Sequence, residues 1–116
     1  MLFLQYPPCS TCKRAKAWLD GQGIAYTDRH IKDQNPSYEE LKAWYDRSGL
    51  PLKRFFNTSG LAYKALNLKE RLAGMTEEEQ LQLLASDGML VKRPILVTET
   101  GICVGFREDQ WAQALK

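Results

Sequence analysis

The apolar positions near the start of the chain change from a strand-like to a helix-like period. A short apolar run at 2–6 predicts a buried strand, which the two prolines at 7–8 prevent from continuing. Residues 12–22 carry the apolar face of an amphipathic helix, formed by Ala15, Trp18 and Leu19. Residues 24–31 alternate in polarity and include β-branched side chains, so we expect a second strand, parallel to the first, in a right-handed βαβ unit.

Helical patterns dominate the middle of the chain. Two longer helices are predicted at 37–47 and 76–88, because each starts with the S/T-x-x-E pattern of a capping box. Three shorter helical candidates lie between them, at 52–56, 61–66 and 68–72. We therefore predict a helical subdomain between two parts of a sheet.

Strand-like patterns return in the last quarter. We predict a strand at 95–98, a turn at 99–101 and a returning strand at 102–106. A final helix starting at 107 should turn three side chains inward: Trp111, Ala112 and Leu115. The order βαβ, helices, ββα predicts an α/β, thioredoxin-like fold with a mixed sheet.

Length and composition indicate one domain over residues 1–116, with 44% hydrophobic residues to build a single core. We expect its thioredoxin part at about 1–36 and 89–116 and the helical insert at about 37–88. A net charge of +2 does not indicate a nucleic-acid or membrane surface. Neither a secretory leader nor an apolar run of about twenty residues is present, so we expect a cytosolic protein. We also expect it to be a monomer.

Two cysteines, Cys9 and Cys12, form a CxxC motif between the first strand and the first helix. Unpaired backbone N–H groups and the positive end of the helix dipole would favour a thiolate at Cys9. Lys13, Arg14 and Lys16 follow directly, and we expect their charge to lower the pKa of Cys9 further. The motif therefore predicts a redox pair in which Cys9 attacks and Cys12 resolves.

Two other interpretations of the motif remain open. Cys9, Cys12, Cys103 and His30 would suffice for a zinc site, but structural zinc ligands usually come as two close pairs, and the last two are isolated. A structural disulfide over so short a loop would stabilise little. The strand–CxxC–helix context favours the redox interpretation, with no metal or cofactor. Cys103 is expected to be a small core residue, and His30 a packing or surface residue.

The whole chain resembles the arsenate reductase and Spx-type family of thioredoxin-like proteins. The resemblance depends on the segment 7–19, on Lys92-Arg93-Pro94-Ile95 and on 104–106; segments 55–60 and 85–90 make the chain most similar to short Spx- and MgsR-like members.

That resemblance implies that Cys9 is the catalytic nucleophile and that Arg93 precedes a proline, Pro94, held in cis. A guanidinium near Cys9 would also stabilise a thiolate and bind an oxyanion or a glutathione carboxylate on physical grounds alone.

Two further positions are candidates for substrate binding. Arsenate reductases of this kind carry an arginine where this chain has Asn57, which can donate a hydrogen bond but cannot offset the charge of an oxyanion. Arg107 corresponds approximately to their third arginine.

The resemblance implies one of two functions. The first is a thiol–disulfide oxidoreductase, related to arsenate reductases, that acts on an oxidised thiol or a small oxyanion and works with glutathione or glutaredoxin. The second is a redox-switched transcriptional regulator that binds the C-terminal domain of the RNA polymerase α subunit, with Gly49 near the glycine of the polymerase-contacting region.

Overall fold

The computed structural model describes residues 1–115, whose strands form one mixed sheet in the order β2-β1-β3-β4. Its strands are β1 Leu2–Gln5, β2 Thr27–His30, β3 Ile95–Val97 and β4 Ile102–Val104. Strands β1 and β2 are parallel, whereas β3 is antiparallel to both β1 and β4. This is the predicted βαβ and ββ arrangement, and the register pairs Phe3 with Asp28 and with Leu96.

Helices fill the rest of the described chain. They are α1 Ser10–Gly21, α2 Tyr38–Ser48, α3 Leu61–Ala65, α4 Leu68–Arg71, α5 Glu77–Ser86 and α6 Glu108–Ala114, with 3-10 turns at Leu52–Phe55, Leu72–Gly74 and Gly88–Leu90. Both predicted capping boxes are present, at the starts of α2 and α5. No helix among residues 1–115 is long and apolar enough to cross a lipid bilayer.

Alternate residues of the central strands feed two apolar clusters, one on each face of the sheet. Phe3 and Leu96 pack with side chains of α1 and α6, namely Ala15, Leu19 and Trp111. Leu4 and Ile95 pack on the other face against the helices between β2 and β3. Fully burying one such side chain contributes about 1.5–3 kcal/mol to the stability of the fold. Packing on both faces therefore fixes the sheet, and the sheet fixes the position of the chain that enters α1.

Three details of the prediction are wrong. The second strand starts at Thr27 rather than 24, because its pairing with β1 begins there, opposite Leu2. Helix α5 ends at Ser86, since Asp87 is extended (φ −157°) and caps the next 3-10 turn instead. Ala112 is exposed rather than inward, because only Trp111 of α6 is fully buried.

Candidate active site

Cys9 is the N-cap residue of α1 and not part of its first turn. Its backbone is extended (φ −74°, ψ 124°), and its Sγ accepts a hydrogen bond from the N–H of Cys12 at 3.5 Å. The N–H of Cys9 donates to the carbonyl of Tyr6 at 2.9 Å, and the N–H of Lys13 donates to the Cys9 carbonyl at 3.0 Å. The sulfur thus occupies the position usually taken by a capping oxygen, facing the free N–H groups of the helix.

The pKa of Cys9 is lowered from its ordinary value of 9.0. Partial burial opposes ionisation and is the largest single influence, but it is outweighed by hydrogen bonds from Cys12 and Thr11 and by the charge of Arg93. A partly buried sulfur with a lowered pKa at a helix N-terminus forms the nucleophilic thiolate more readily than an ordinary cysteine, and solvent can still reach it.

The expected effect of Lys13, Arg14 and Lys16 on the pKa of Cys9 is not among its largest causes. Lys13 and Arg14 are exposed. Lys16 donates to the hydroxyl of Tyr26 at 2.8 Å and lies 3.6 Å from a carboxylate oxygen of Asp20. These cations lie on the helix that Cys9 caps, but Arg93 is the cation with the larger influence on its sulfur.

Cys12 lies in the opposite environment. It is fully buried, and its Sγ accepts a hydrogen bond from the N–H of Tyr6 at 3.5 Å. The pKa of Cys12 is raised to about 12, chiefly by burial and also by the hydrogen bond and charge of the neighbouring Cys9. One thiol of the motif therefore favours the thiolate, and the other holds its proton.

Arg93 lies beside this pair, after the 3-10 turn and before β3. The Arg93–Pro94 peptide bond is cis, and Pro94 is buried. The guanidinium carbon of Arg93 lies 4.9 Å from the centre of the Tyr6 ring, and its charge lowers the pKa of both Cys9 and Cys12. Tyr6 was not among the predicted site residues, although its position directly before the Pro-Pro of the motif was a signal that it borders the thiols.

Asn57 and Arg93 line the same surface cavity, whose volume is about 480 Å³. Asn57 lies in a turn in which its carbonyl accepts the N–H of Gly60 at 3.1 Å and its Oδ1 accepts the hydroxyl of Ser59 at 3.4 Å. Arg107 has a different setting: its side chain is 68% exposed, and its Nε lies 3.9 Å from a carboxylate oxygen of Asp109.

The four soft ligands considered for zinc lie in separate surroundings. His30 packs edge-to-face on Tyr6, 5.7 Å between ring centres, and Cys103 lies half-buried in β4 against the smaller apolar cluster. Burial raises the pKa of the Cys103 thiol. Within the part of the chain that the structure describes, no three His, Cys, Asp or Glu side chains are arranged to hold a metal ion.

The sheet topology and the CxxC pair at the start of α1 define a thioredoxin-like protein. The sequence model of the ArsC family matches residues 4–114. The chain belongs to the ArsC family, in agreement with the resemblance of its motifs.

Two curated relatives illustrate the range of the family. The chain is 55% identical over 113 residues to the uncharacterized protein YusI of Bacillus subtilis strain 168, covering 97% of this chain and 96% of that protein. It is 32% identical over 110 residues to the regulatory protein MgsR of the same strain, covering 95% and 86%.

Two solved structures confirm the predicted fold class. A crystal structure of an ArsC family related protein from Bacteroides fragilis has 58% identity and a TM-score of 0.95, covering 97% of this chain and 95% of that one. A possible arsenate reductase from Streptococcus mutans UA159 has 46% identity and a TM-score of 0.88, covering 96% of each chain.

Proposed function

We propose that the protein is a cytosolic thiol–disulfide oxidoreductase with Cys9 as nucleophile and Cys12 as resolving thiol. The observation that carries the proposal is the contrast between the two sulfurs. Cys9 is partly exposed with a lowered pKa, whereas Cys12 is buried with a pKa raised to about 12. Thiol–disulfide exchange needs this division, because the attacking sulfur must be ionised and reachable while the resolving one must wait.

The reaction proceeds in two exchanges. The Cys9 thiolate attacks one sulfur of a substrate disulfide, so that a mixed disulfide forms and the first substrate thiol leaves with a proton from water. Cys12 then loses its proton and attacks Sγ of Cys9, which releases the second thiol and leaves a Cys9–Cys12 disulfide. The substrate gains two electrons and the protein loses two. Two equivalents of an external thiol such as glutathione, or one dithiol glutaredoxin, then reduce the Cys9–Cys12 disulfide again.

The timing of the second exchange follows from the coupling between the thiols. While Cys9 is a thiolate, its charge and its hydrogen bond raise the pKa of Cys12. Both influences disappear once Cys9 is bonded to a substrate sulfur. The barrier to ionising Cys12 therefore falls when the resolving attack is needed, and Arg93 continues to favour its thiolate.

Arsenate is the less suitable substrate. Asn57 and Arg93 line one cavity, so one guanidinium and one amide are available there for a substrate, where the arsenate reductases would supply a second arginine. A disulfide needs no such concentration of positive charge.

A trapping experiment tests the proposal. Cys12→Ser protein, mixed with a disulfide of a small thiol, should accumulate a mixed disulfide on Cys9, seen as a mass increase of one thiol in the intact chain. The unaltered chain should instead lose the mass of two hydrogen atoms, as the Cys9–Cys12 disulfide forms, and show no adduct at the end of the reaction. Cys9→Ser should do neither. An adduct on Cys103, or none on Cys9, would refute the assignment.

A redox-controlled regulator is the second candidate, supported by the likeness to the regulatory protein MgsR and by the setting of Gly49. Gly49 ends α2 with φ 69°, is exposed, and has nothing within 4 Å of where a Cβ would lie. An exposed residue without a side chain lets a partner's backbone approach closely. On this alternative, the chain captures the C-terminal domain of the α subunit of RNA polymerase. Gly49→Asn tests it, because Asn tolerates positive φ and adds a side chain at the contact. The variant should abolish capture without slowing alkylation of Cys9. No capture by the unaltered chain, reduced or oxidised, would exclude it.

A further inference from the structure

The cavity that contains Asn57 is built where two segments of the chain meet beside the thiol site. Phe56 and Val91 form an antiparallel bridge, with backbone hydrogen bonds on both sides of it. Next to this bridge, Asn57, Ser59 and Arg93 line one cavity of about 480 Å³. Apolar side chains complete its wall, including Leu61, which is 85% exposed.

The cavity is also lined by one anionic and one cationic side chain, Asp87 and Arg93, which both hydrogen-bond to the backbone of Met89. Asp87 accepts the backbone N–H of Met89 through Oδ1 at 2.9 Å, and Nη1 of Arg93 donates to the carbonyl of Met89 at 3.5 Å. The carboxylate and the guanidinium are therefore both anchored to the backbone of Met89. Across residues 1–115 no ion pair joins them to each other or to another side chain.

A cation and an anion that line one cavity without pairing are complementary to a ligand that carries both charges. A guanidinium binds a carboxylate through parallel hydrogen bonds, and a carboxylate accepts from an ammonium group. An α-amino acid carries both groups on a single carbon, so it is the smallest ligand that could bind both side chains.

We propose that this cavity binds the α-amino-acid group of a small disulfide, with Arg93 taking its carboxylate and Asp87 its ammonium. The inference rests on the proposed function and makes Asp87 a residue that determines substrate specificity. Cys9 does not line the cavity, so the cavity holds the charged end of the substrate while the sulfur extends toward Cys9. Arg93 links the two, because it lines the cavity and its charge lowers the pKa of Cys9.

Binding without reaction tests the site on its own. S-methylcysteine is a zwitterion that cannot undergo exchange, and 3-(methylthio)propanoate is the same molecule without its amino group. NMR titration of the full chain should show that S-methylcysteine binds about tenfold more tightly, the size of a charged hydrogen bond. Asp87→Asn keeps the Oδ1 acceptor for Met89 and should remove the difference. Glu78→Gln, which neutralises an exposed carboxylate of α5, should leave it intact. Equal affinities in the unaltered chain, or a difference that survives Asp87→Asn, would overturn the inference.

A second measurement separates this inference from the function on which it rests. The reduced chain is mixed with cystine, with 3,3′-dithiodipropionate, which lacks the amino groups, or with the uncharged 2-hydroxyethyl disulfide, and formation of the Cys9–Cys12 disulfide is timed. Each disulfide would take two electrons and leave as two thiols. Cystine should be preferred, and Asp87→Asn should raise its KM about tenfold without changing the reaction of 2-hydroxyethyl disulfide. If 2-hydroxyethyl disulfide oxidises the pair but cystine has no advantage, the specificity inference fails alone. If no disulfide oxidises the pair, the proposed function fails, and the titration still decides whether the zwitterion site exists.

Discussion

The guanidinium of Arg93 stacks over the ring of Tyr6, 4.9 Å from its centre. Tyr6 also donates its backbone N–H to Sγ of Cys12 and accepts the N–H of Cys9, so one residue connects the cation to both thiols. A cation over an aromatic ring is held without being neutralised, since the ring carries no net charge. Arg93 can therefore act electrostatically on the thiols and remain available to a substrate.

Neutralising Arg93 should raise the pKa of Cys9, because a positive charge that favours the thiolate is lost. We expect Arg93→Gln to slow iodoacetamide alkylation of Cys9 several-fold at pH 6–7 and to shift the pH profile upward. Lys13→Gln is the matched control, since it removes the same charge from an exposed position on the first turn of α1. If Lys13→Gln moved the profile as far as Arg93→Gln, the helix cations would be the cause and our assignment would be incorrect.

The buried thiol should make stability depend on pH in the alkaline range. The folded pKa of Cys12, about 12, exceeds its ordinary value of 9.0, so between these values the folded chain keeps a proton that the unfolded chain has lost. Stability is therefore complete below about pH 9 and should fall by up to a few kcal/mol as pH rises toward 12.

Urea unfolding in a phosphine reductant at pH 8 to 11 measures this loss. Cys12→Ser keeps an acceptor for the N–H of Tyr6 and should remove the part of the pH dependence of the unfolding free energy that comes from this thiol. Cys9→Ser should reduce it, because the thiolate that raises the pKa of Cys12 is absent. Identical slopes in all three proteins would contradict the raised pKa.

The sequence predicted the sheet and the position of the CxxC pair at the start of α1, but not the main source of positive charge beside it. Periodicity identified β1, α1 and the hairpin, since alternate residues such as Phe3 and Leu4 must enter different apolar clusters. The cations next to Cys9 in sequence are not among the largest influences on its pKa, whereas Arg93, more than 80 residues away, is. Side-chain direction around a helix and contacts between distant segments depend on packing, which a one-dimensional pattern does not contain.

Gly88 should tolerate no side chain. A Cβ at this position would collide with the carbonyl oxygen of Ile31 and come within 2.7 Å of Oδ1 of Asn35. Because backbone atoms in a buried turn cannot move aside, we expect Gly88→Ala to lower the free energy of unfolding by at least about 2 kcal/mol. Gly74→Ala, where nothing lies within 4 Å of the added methyl, should change it little. Equal midpoints for the two variants in urea would argue against the close approach.

The Gly88→Ala substitution should also affect the thiol site, because Gly88 begins the 3-10 turn that leads to Arg93. We therefore expect the Gly88→Ala protein that remains folded to show slower alkylation of Cys9 at pH 7 than Gly74→Ala does. Normal alkylation in a destabilised chain would mean that the turn and the thiols are independent.

An ion pair at the start of α2 should make stability depend on pH in the acid range. Arg29 donates to both carboxylate oxygens of Glu40, at 2.6 and 2.8 Å, and these bonds are the largest of the causes that lower the pKa of Glu40 to about 2. A depressed pKa contributes stability above the ordinary value of 4.5, and that contribution is lost as pH falls toward 2. Since the Glu40 side chain is 36% exposed, water screens the pair and we expect only about 1 kcal/mol.

Glu40→Gln isolates this charge, because the amide oxygen can still accept the N–H of Ser37 in the capping box. The variant should be about 1 kcal/mol less stable at pH 7 and should lose less stability than the unaltered chain between pH 4.5 and 2. Glu39→Gln removes a carboxylate from the same turn and has the same interaction with the helix dipole, so it is the matched control. Arg29 also donates to the carbonyls of Gln34 and Asn35, so this pair fixes the loop that Gly88 contacts. If the two variants lost the same stability at pH 7, the helix dipole rather than Arg29 would account for the effect of Glu40.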